Sequence, residues 1–365
     1  MVDIVLLIVE LAVGLLANRA TAVAVDEAFT ISSDGSGLRT AFDQAFTARE
    51  DTEDTTVATK LFAAWLGVFY DFDQAQFFND NSHISFQVFL ENFQIYEDFV
   101  SSGEYTTNIS PPRLFCDNFG DFFDWNDPAL DASGQGVELD GVALTIADMY
   151  ADVYASEDAN GRTPYYISSM GTYAFPRTSN LKTVELCSAD ADGNLLMGVS
   201  IPGQAAGTPK PSNTRQCPIC LTVRAAFDST IPWEYDVLAD LPTNEPGDGD
   251  FLYSVMPRNS TFFHELWHLV TFWKTYSNEQ TGDTTLDRMT DLAYPVQDCL
   301  TLAQGRLEKQ EAHITNDGQT TYESWRSAYN VESNVYLALS WWYWETYGAA
   351  FFDGYPRDYD WNGDN

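Results

Sequence analysis

The sequence predicts a mixed α+β protein whose last third is mainly helical, because the residue pattern changes along its 365 residues. Apolar residues recur at helical spacing from about residue 38 to 102. Glycine and proline then become frequent between about 105 and 250, where short β-like runs such as 183–186 appear. Helical spacing returns between Thr261 and Tyr347. An apolar fraction of 45% allows a substantial core and excludes wholesale disorder.

Two stretches in the first third are predicted helices with aromatic faces. In the first, apolar pairs recur every three to four residues: Leu61 and Phe62, Trp65 and Leu66, Phe69 and Tyr70. The second has similar spacing: Phe86, Phe89, Leu90, Phe93 and Tyr96. We interpret both stripes as core faces. Residues 203–213 and 242–250 read as surface loops or linkers, and 190–194 as a hairpin turn.

The first 24 residues have the pattern of a signal peptide. Residues 4–16 are apolar except for Glu10 and are too short to cross a bilayer, and Ala22-Val23-Ala24 is a small-x-small cleavage pattern. We therefore expect a secreted, extracellular protein, and glycosylation sequons at Asn108 and Asn259 agree with export. A buried N-terminal helix or strand is the alternative reading of this segment.

Cysteine number and net charge limit the chemistry further. Five cysteines in a secreted chain predict two disulfides and one free thiol, with the pairing left open: Cys116, Cys187, Cys217, Cys220 and Cys299. The net charge of −36 repels phosphate backbones and anionic lipids, which argues against nucleic-acid or membrane partners. Basic polypeptides are compatible with this charge.

The most informative motif is the run TFFHELWHLV at residues 261–270. His264 and His268 are four residues apart, so on a helix both imidazoles project from one face and suit two Zn²⁺–N bonds. Glu265, next to the first histidine, has the position of a general base that reaches a water at the metal. The surrounding apolar residues predict a buried helix. These three residues predict a catalytic zinc site that still requires a third protein ligand.

Spacing alone leaves the third ligand open. The metzincin extension requires glycine and then histidine or aspartate after the second histidine, but Thr271 and Lys274 occupy those positions. A thermolysin-like site requires a downstream glutamate, and none occurs between Glu279 and Glu308. The aspartates in this region are the remaining donors: Asp283, Asp287, Asp291 and Asp298.

Residues 290–303, TDLAYPVQDCLTLA, resemble the second signature of the aspzincin metallo-endopeptidases, which include the fungal deuterolysins and the lysine-specific fungal endopeptidases. The matching positions are Asp291, Tyr294, Cys299, Leu302 and Ala303. Residues 330–334, NVESN, resemble the Asn-Ala-Asp segment near the end of such domains, with Glu332 in place of aspartate. Arg288-Met289 replaces the family's Gly-Thr, and Pro295 replaces its glycine.

The resemblance implies a zincin-like metallopeptidase fold with one Zn²⁺ per chain. It makes Asp291 the third metal ligand and Tyr294 the donor that stabilises the oxyanion, with Glu265 as general base. An ordinary solvated carboxylate at Asp291 and a core aromatic at Tyr294 are the alternatives. We divide the chain into the signal peptide 1–24, a helical and β-containing region 25–215 with room for a propeptide or accessory part, and a zinc-binding catalytic region 216–365.

The function predicted in this way is a secreted zinc-dependent endopeptidase that acts on polypeptides, basic ones among them. One alternative is a catalytically impaired, zincin-like secreted binding protein, which the residues around Asp291 motivate. The other is an acidic, aromatic-rich secreted protein that binds glycans or surfaces, motivated by the run Trp341–Trp344 and the tail Asp353–Asn365. Metal content and proteolysis distinguish the three.

Overall fold

The computed structural model describes residues 52–71, 76–102, 113–115, 120–155, 162–168, 171–176, 199–206, 219–222, 246–247, 249–256, 260–271, 275–277, 284–286, 289–305, 313–314, 320–321 and 324–357. The chain forms two compact units. The discontinuous unit comprises Met1–Glu104 and Trp233–Asn365, and the inserted unit comprises Tyr105–Pro232. This division differs from the sequence-based boundary at residue 215, because the helices between residues 53 and 102 pack with those of the last third.

Both helices and short strands occur in the described residues. The helices are α1 (Glu53–Leu66), α2 (Asp80–Ser102), α3 (Ile146–Met149), α4 (Ala151–Tyr154), α5 (Ser260–Thr271), α6 (Val296–Ala303) and α7 (Val331–Tyr347), with 3₁₀ turns η1 (Leu252–Val255) and η2 (Ser324–Tyr329). The strands are β1 (Tyr70–Asp71), β2 (Gln76–Phe77), β3 (Arg113–Phe115), β4 (Asp121–Phe122), β5 (Glu138–Leu139), β6 (Val142–Ala143), β7 (Tyr165–Ile167), β8 (Thr172–Ala174), β9 (Val199–Ala205), β10 (Ile219–Thr222), β11 (Thr275–Ser277), β12 (Thr284–Leu286), β13 (His313–Ile314), β14 (Thr320–Thr321), β15 (Ala350–Phe351) and β16 (Pro356–Arg357).

Helix α1 confirms the first predicted helix but ends earlier than its aromatic stripe suggested. Thr52 caps its start, because the Thr52 and Thr55 side chains each accept a hydrogen bond from the other residue's backbone N–H. Gly67 ends the helix in the left-handed region at φ 65°, a conformation that glycine adopts without a steric penalty. Phe69 and Tyr70 therefore lie beyond the helix, and Tyr70 begins strand β1.

Helix α7 is buried on nearly all sides and forms the centre of the discontinuous unit. Every residue from Val331 to Trp341 is buried, so this helix lacks the polar face of an ordinary surface helix. The Trp65 ring of α1 lies 5.2 Å from the Tyr336 ring, and its indole N–H donates to the Phe351 carbonyl at 3.0 Å. Helix α1 is thus joined to both α7 and the hairpin that follows it.

Helix α2, the second predicted helix, packs its aromatic stripe against α5. Tyr96 stacks on Trp267 with ring centroids 4.8 Å apart and meets Phe263 edge-on at 5.5 Å. All three rings are buried. One face of α5 is therefore fixed by aromatic packing, which leaves its histidines on a separate face.

The described strands of the discontinuous unit form two-stranded antiparallel pairs: β1–β2, β11–β12, β13–β14 and β15–β16. None of these pairs is extended into a larger sheet within the described residues. The zincin-like fold therefore stays a prediction. The aromatic run of α7 is a packing feature, because Trp341, Tyr343 and Trp344 are buried. Burial of these three side chains makes them unavailable for contact with a glycan or a surface.

The inserted unit is built on a six-stranded sheet of order β3-β10-β9-β8-β7-β4. The pair β3–β10 is parallel and the other neighbours are antiparallel, with Tyr166 opposite Tyr173 in the β7–β8 register. Its core is aromatic: the Trp125 ring stacks on Phe175 at 5.3 Å with an interplanar angle of 3°. Helix α3 begins at Thr145, whose hydroxyl accepts from the Asp148 backbone N–H.

Several predictions fall on residues that the structure does not describe. The parts of the chain outside the described residues include the signal peptide 1–24, the sequon at 108–110, the acceptor Asn259 of the second sequon, the proposed hairpin turn at 190–194 and the β-like run 183–186. Cys299 is a buried free thiol, while the side chains of the other four cysteines lie outside the description, so the disulfides stay a prediction. No helix in the described part of the chain has the length and apolar character needed to cross a membrane.

We expect Trp65→Ala to destabilise the protein by about 3–5 kcal/mol, because it leaves a cavity beside α7 and removes the donor to Phe351. Denaturant unfolding monitored by circular dichroism measures this change. Phe78→Ala is the control: its side chain is 66% exposed, so its effect should stay within about 0.5 kcal/mol. Equal effects of the two substitutions would contradict the packing described for α1.

Candidate metal centre

Helix α5 presents His264 and His268 from adjacent turns of one face, as their spacing predicts. The two imidazole rings have centroids 5.0 Å apart, and the two Nε2 atoms lie 3.2 Å from each other. His264 is buried, whereas His268 is partly exposed at the open side of the site. The helix thus directs two nitrogen donors to one point.

Asp291, in the segment between β12 and α6, supplies a third donor at the same point. Its Oδ1 atom lies 3.0 Å from His264 Nε2 and 2.8 Å from His268 Nε2. Among the described residues, these three side chains form the group of histidine, cysteine or carboxylate donors that could hold a metal ion. Ligand atoms around a tetrahedral zinc ion are about 3.3–3.4 Å apart, so the observed separations are shorter by only about 0.1–0.6 Å. The residues therefore fit a metal ion of this size.

The other nitrogen of each imidazole is engaged by a fixed acceptor. His264 Nδ1 donates to Glu332 Oε2 at 2.7 Å, and His268 Nδ1 donates to the Met289 carbonyl oxygen at 3.3 Å. A carbonyl oxygen can only accept, so the hydrogen of a neutral His268 resides on Nδ1 and its Nε2 carries a lone pair. Outer partners of this kind fix the tautomer and the ring orientation of metal-binding histidines.

The electrostatics of the site favour positive charge at its centre. Burial alone lowers the pKa of His264, but hydrogen bonds to Asp291 and Glu332 together raise that pKa well above its ordinary value. Burial likewise opposes ionisation of Asp291, yet hydrogen bonds from both histidines hold its pKa well below the ordinary range. The site is therefore built to retain a cation, whether a proton or a metal ion.

Glu265 and Tyr294 lie beside the three donors. The Glu265 side chain follows the first histidine on α5 and is only 5% exposed. Tyr294 is 54% exposed, and its ring stacks on His264 with centroids 5.8 Å apart and an interplanar angle of 14°. Although half of the residue's surface is exposed, desolvation by the surrounding protein, then the charge and hydrogen bond of Asp291, then the charge of Glu265 raise the pKa of the Tyr294 phenol. Its hydroxyl therefore stays protonated and can donate a hydrogen bond.

The segment that carries Asp291 and Tyr294 is anchored at both ends. The Met289 backbone N–H donates to the Thr271 hydroxyl at 3.1 Å, which ties the segment to the end of α5. The Tyr336 hydroxyl of α7 donates to the Tyr294 carbonyl at 2.8 Å. Both contacts come from buried residues, so Asp291 is presented by a supported loop.

The structure brings together His264, His268 and Asp291, with Glu265 and Tyr294 alongside. The half-exposed Tyr294 does not have the burial of a core aromatic. Asp298 is not part of the three-donor group, and Asp283 and Asp287 lie outside the described residues. Sequence reasoning missed the contact of Glu332 with His264, although the segment 330–334 had been singled out. It also missed the Met289 carbonyl, for which no side-chain motif exists.

Replacement of Asp291 by alanine should remove one of the three donors. We expect zinc affinity, measured by competition with a chromophoric chelator, to fall by more than ~10–100-fold. That range is typical of losing a residue that hydrogen-bonds to a metal ligand without binding the metal itself. Asp298→Ala is the matched control, because Asp298 lies in α6 outside the donor group. Equal zinc affinity of the two variants would show that Asp291 is not a ligand.

Glu332→Gln keeps the side chain's size but replaces the charged acceptor at His264 Nδ1 with a neutral amide. We expect zinc affinity to fall by about 10–100-fold, because the carboxylate both orients the ring and raises its basicity. Glu345→Gln, an exposed position on the same helix, should leave the affinity unchanged. If Glu332→Gln binds zinc as tightly as wild type, the carboxylate–histidine contact has no role in metal binding.

In comparisons with known proteins, no family model, no curated protein and no solved structure matches this chain. The likeness to the aspzincin signatures therefore depends on the motifs quoted from the sequence. What the structure adds independently is the three-donor group itself and the two acceptors behind its histidines.

Proposed function

We propose that this chain is a secreted zinc-dependent endopeptidase. The observation that carries the proposal is the meeting of His264 Nε2, His268 Nε2 and Asp291 Oδ1 within 3.2 Å of one another. The carboxylate of Glu265 lies next to the first ligand on the same buried helix. Three protein ligands with one side left open to solvent are typical of catalytic rather than structural zinc sites.

Zinc is the metal that the whole arrangement favours. Two imidazoles and one carboxylate also suit non-haem iron(II), so the donor set alone does not select the metal. The buried carboxylate that follows the first histidine favours zinc, because a hydrolytic site requires a general base and an iron oxygenase does not. Elemental analysis of the purified protein distinguishes the two metals, and iron in place of zinc would contradict the proposal.

A Zn²⁺ ion held by His264, His268 and Asp291 would supply Lewis acidity, which would polarise a peptide carbonyl and make water more acidic. Glu265 accepts a proton from the attacking water and passes it to the leaving amine. Its carboxylate is buried beside the first histidine on α5. The Tyr294 hydroxyl donates a hydrogen bond to the developing oxyanion, and its stacking on His264 keeps it beside the site.

Basic polypeptides are the substrates that the charge favours. A net charge of −36 raises the local concentration of positively charged chains at the protein surface. No feature of the described residues requires a nucleic-acid or membrane partner. Export through the N-terminal signal peptide is part of the same proposal, since an extracellular peptidase needs to leave the cell.

The residues that motivated a catalytically impaired binding protein have structural explanations. At residue 289 the backbone carbonyl contacts His268, a contact that a residue of any type could supply. Pro295 occupies the N-cap of α6, and the Cys299 N–H donates to its carbonyl at 3.0 Å. Proteolysis assays separate an active peptidase from this alternative.

Glu265→Gln tests the general base directly, because the amide keeps the size of the side chain but cannot accept the proton. We expect cleavage of casein or protamine to fall by ~10²–10⁴-fold while zinc content stays near that of wild type. Tyr294→Phe should lower kcat less, by about 10–10³-fold, since one oxyanion donor is lost. Both variants are compared at equal zinc occupancy.

One result would contradict the peptidase assignment, and another would contradict only the role given to Glu265. A zinc-loaded wild type that cleaves neither substrate between pH 4 and 8 would favour the binding-protein alternative. An active wild type with an equally active Glu265→Gln variant would leave the peptidase assignment standing but exclude Glu265 as its base.

A further inference from the structure

We propose that Asn330 is a positioning residue that holds the Asp291 ligand in place by gripping the backbone that follows it. The inference rests on the metal centre of the proposed function and assigns Asn330 a role in metal affinity. Asn330 is fully buried and does not belong to the three-donor group. Any influence on the metal is therefore indirect, and the hydrogen bonds of Asn330 lead to the segment of Asp291.

Both polar atoms of the Asn330 side-chain amide form hydrogen bonds with other residues. Its Oδ1 accepts from the backbone N–H groups of Leu292 and Ala293, at 2.9 and 3.0 Å, immediately after the ligand. Its Nδ2 donates to the Ser333 hydroxyl at 2.9 Å and to Cys299 Sγ at 3.4 Å. Asparagine offers two donor hydrogens and two acceptor lone pairs, so this position uses the full capacity of the side chain.

The backbone around Asn330 grips the same segment from the other side. The Val331 N–H donates to the Thr290 carbonyl at 3.1 Å, and the Thr290 N–H donates to the Tyr329 carbonyl at 2.9 Å. The residues on both sides of Asp291 therefore form hydrogen bonds with one short stretch of the chain, residues 329–331. Glu332, which contacts His264, lies only two residues further along this stretch.

An isolated aspartate on a surface loop would rotate and shift freely, whereas a metal ligand must stay within a few tenths of an ångström of its position. Loss of the Asn330 acceptor would leave two backbone N–H groups without their partner and release the loop. The consequence for the metal should resemble the loss of an outer partner, about 10–100-fold in affinity.

Asn334 provides a matched control for the effect of removing a buried amide. It lies one turn later on α7, is also buried, and its Nδ2 donates to the carbonyls of Asn330 and Ala328. It contacts neither Asp291 nor the residues that follow it in any described hydrogen bond. Asn334→Ala should therefore lower stability without lowering zinc affinity.

The experiment compares Asn330→Ala and Asn334→Ala by zinc competition titration, thermal unfolding and the visible absorption of the Co²⁺-substituted protein. We expect similar losses of stability, but a zinc affinity about 10–100-fold weaker for Asn330→Ala and a changed Co²⁺ spectrum for that variant alone. Asn330→Asp keeps the acceptor for both N–H groups and should bind zinc at least as tightly as Asn334→Ala.

Equal zinc affinities of Asn330→Ala and Asn334→Ala would overturn the proposal. If Asn330→Ala does not fold, Asn330→Asp decides: a zinc affinity at least tenfold below that of Asn334→Ala would overturn it, and an affinity at or above that level supports it. Failure of wild type to bind zinc or Co²⁺ is a different result, because it would overturn the metal centre of the proposed function itself.

Discussion

In the discontinuous unit, three electron-rich atoms lie within 3.2 Å of one another, and the structure around them must hold them in place. Two imidazole nitrogens and a carboxylate oxygen repel each other unless a positive charge lies among them. The three donor side chains therefore need rigid support from the helices packed against the buried side of the site. Aromatic packing of α2 against α5 provides this support on one side, and the start of α7 provides it on the other.

The start of α7 combines two tasks that are usually separate. Within three residues it orients a histidine of α5 through Glu332 and fixes the segment around Asp291 through Asn330. Because every residue of α7 from Val331 to Trp341 is buried, the geometry of the donors depends on the packing of the core. Tyr336 illustrates the link, since its ring packs on Trp65 while its hydroxyl holds the Tyr294 carbonyl.

Features determined by neighbouring residues could be predicted directly from the sequence, whereas features determined by contacts between distant residues could not. The spacing of His264 and His268 is local, so a helix and one shared face followed directly. Asp291 lies 23 residues beyond His268, and only the family resemblance selected it from four aspartates. Glu332 lies 68 residues from His264, and the pairing depends on how α7 packs. The Met289 carbonyl is a backbone group that no residue pattern marks. The apolar spacing that predicted α1 continued to Tyr70, whereas the helix ends at Leu66, before Gly67.

The discontinuity of this unit has a consequence during synthesis. Trp65 donates to the carbonyl of Phe351, 286 residues later in the chain. At a translation rate of about 5–20 residues per second, helix α1 is made roughly 15–60 s before its partner exists. Throughout that interval Trp65 of α1 lacks the hairpin carbonyl that finally accepts its hydrogen bond. A nascent chain of this protein thus exposes apolar surface of its first described helix until its last residues are made, a condition that favours aggregation.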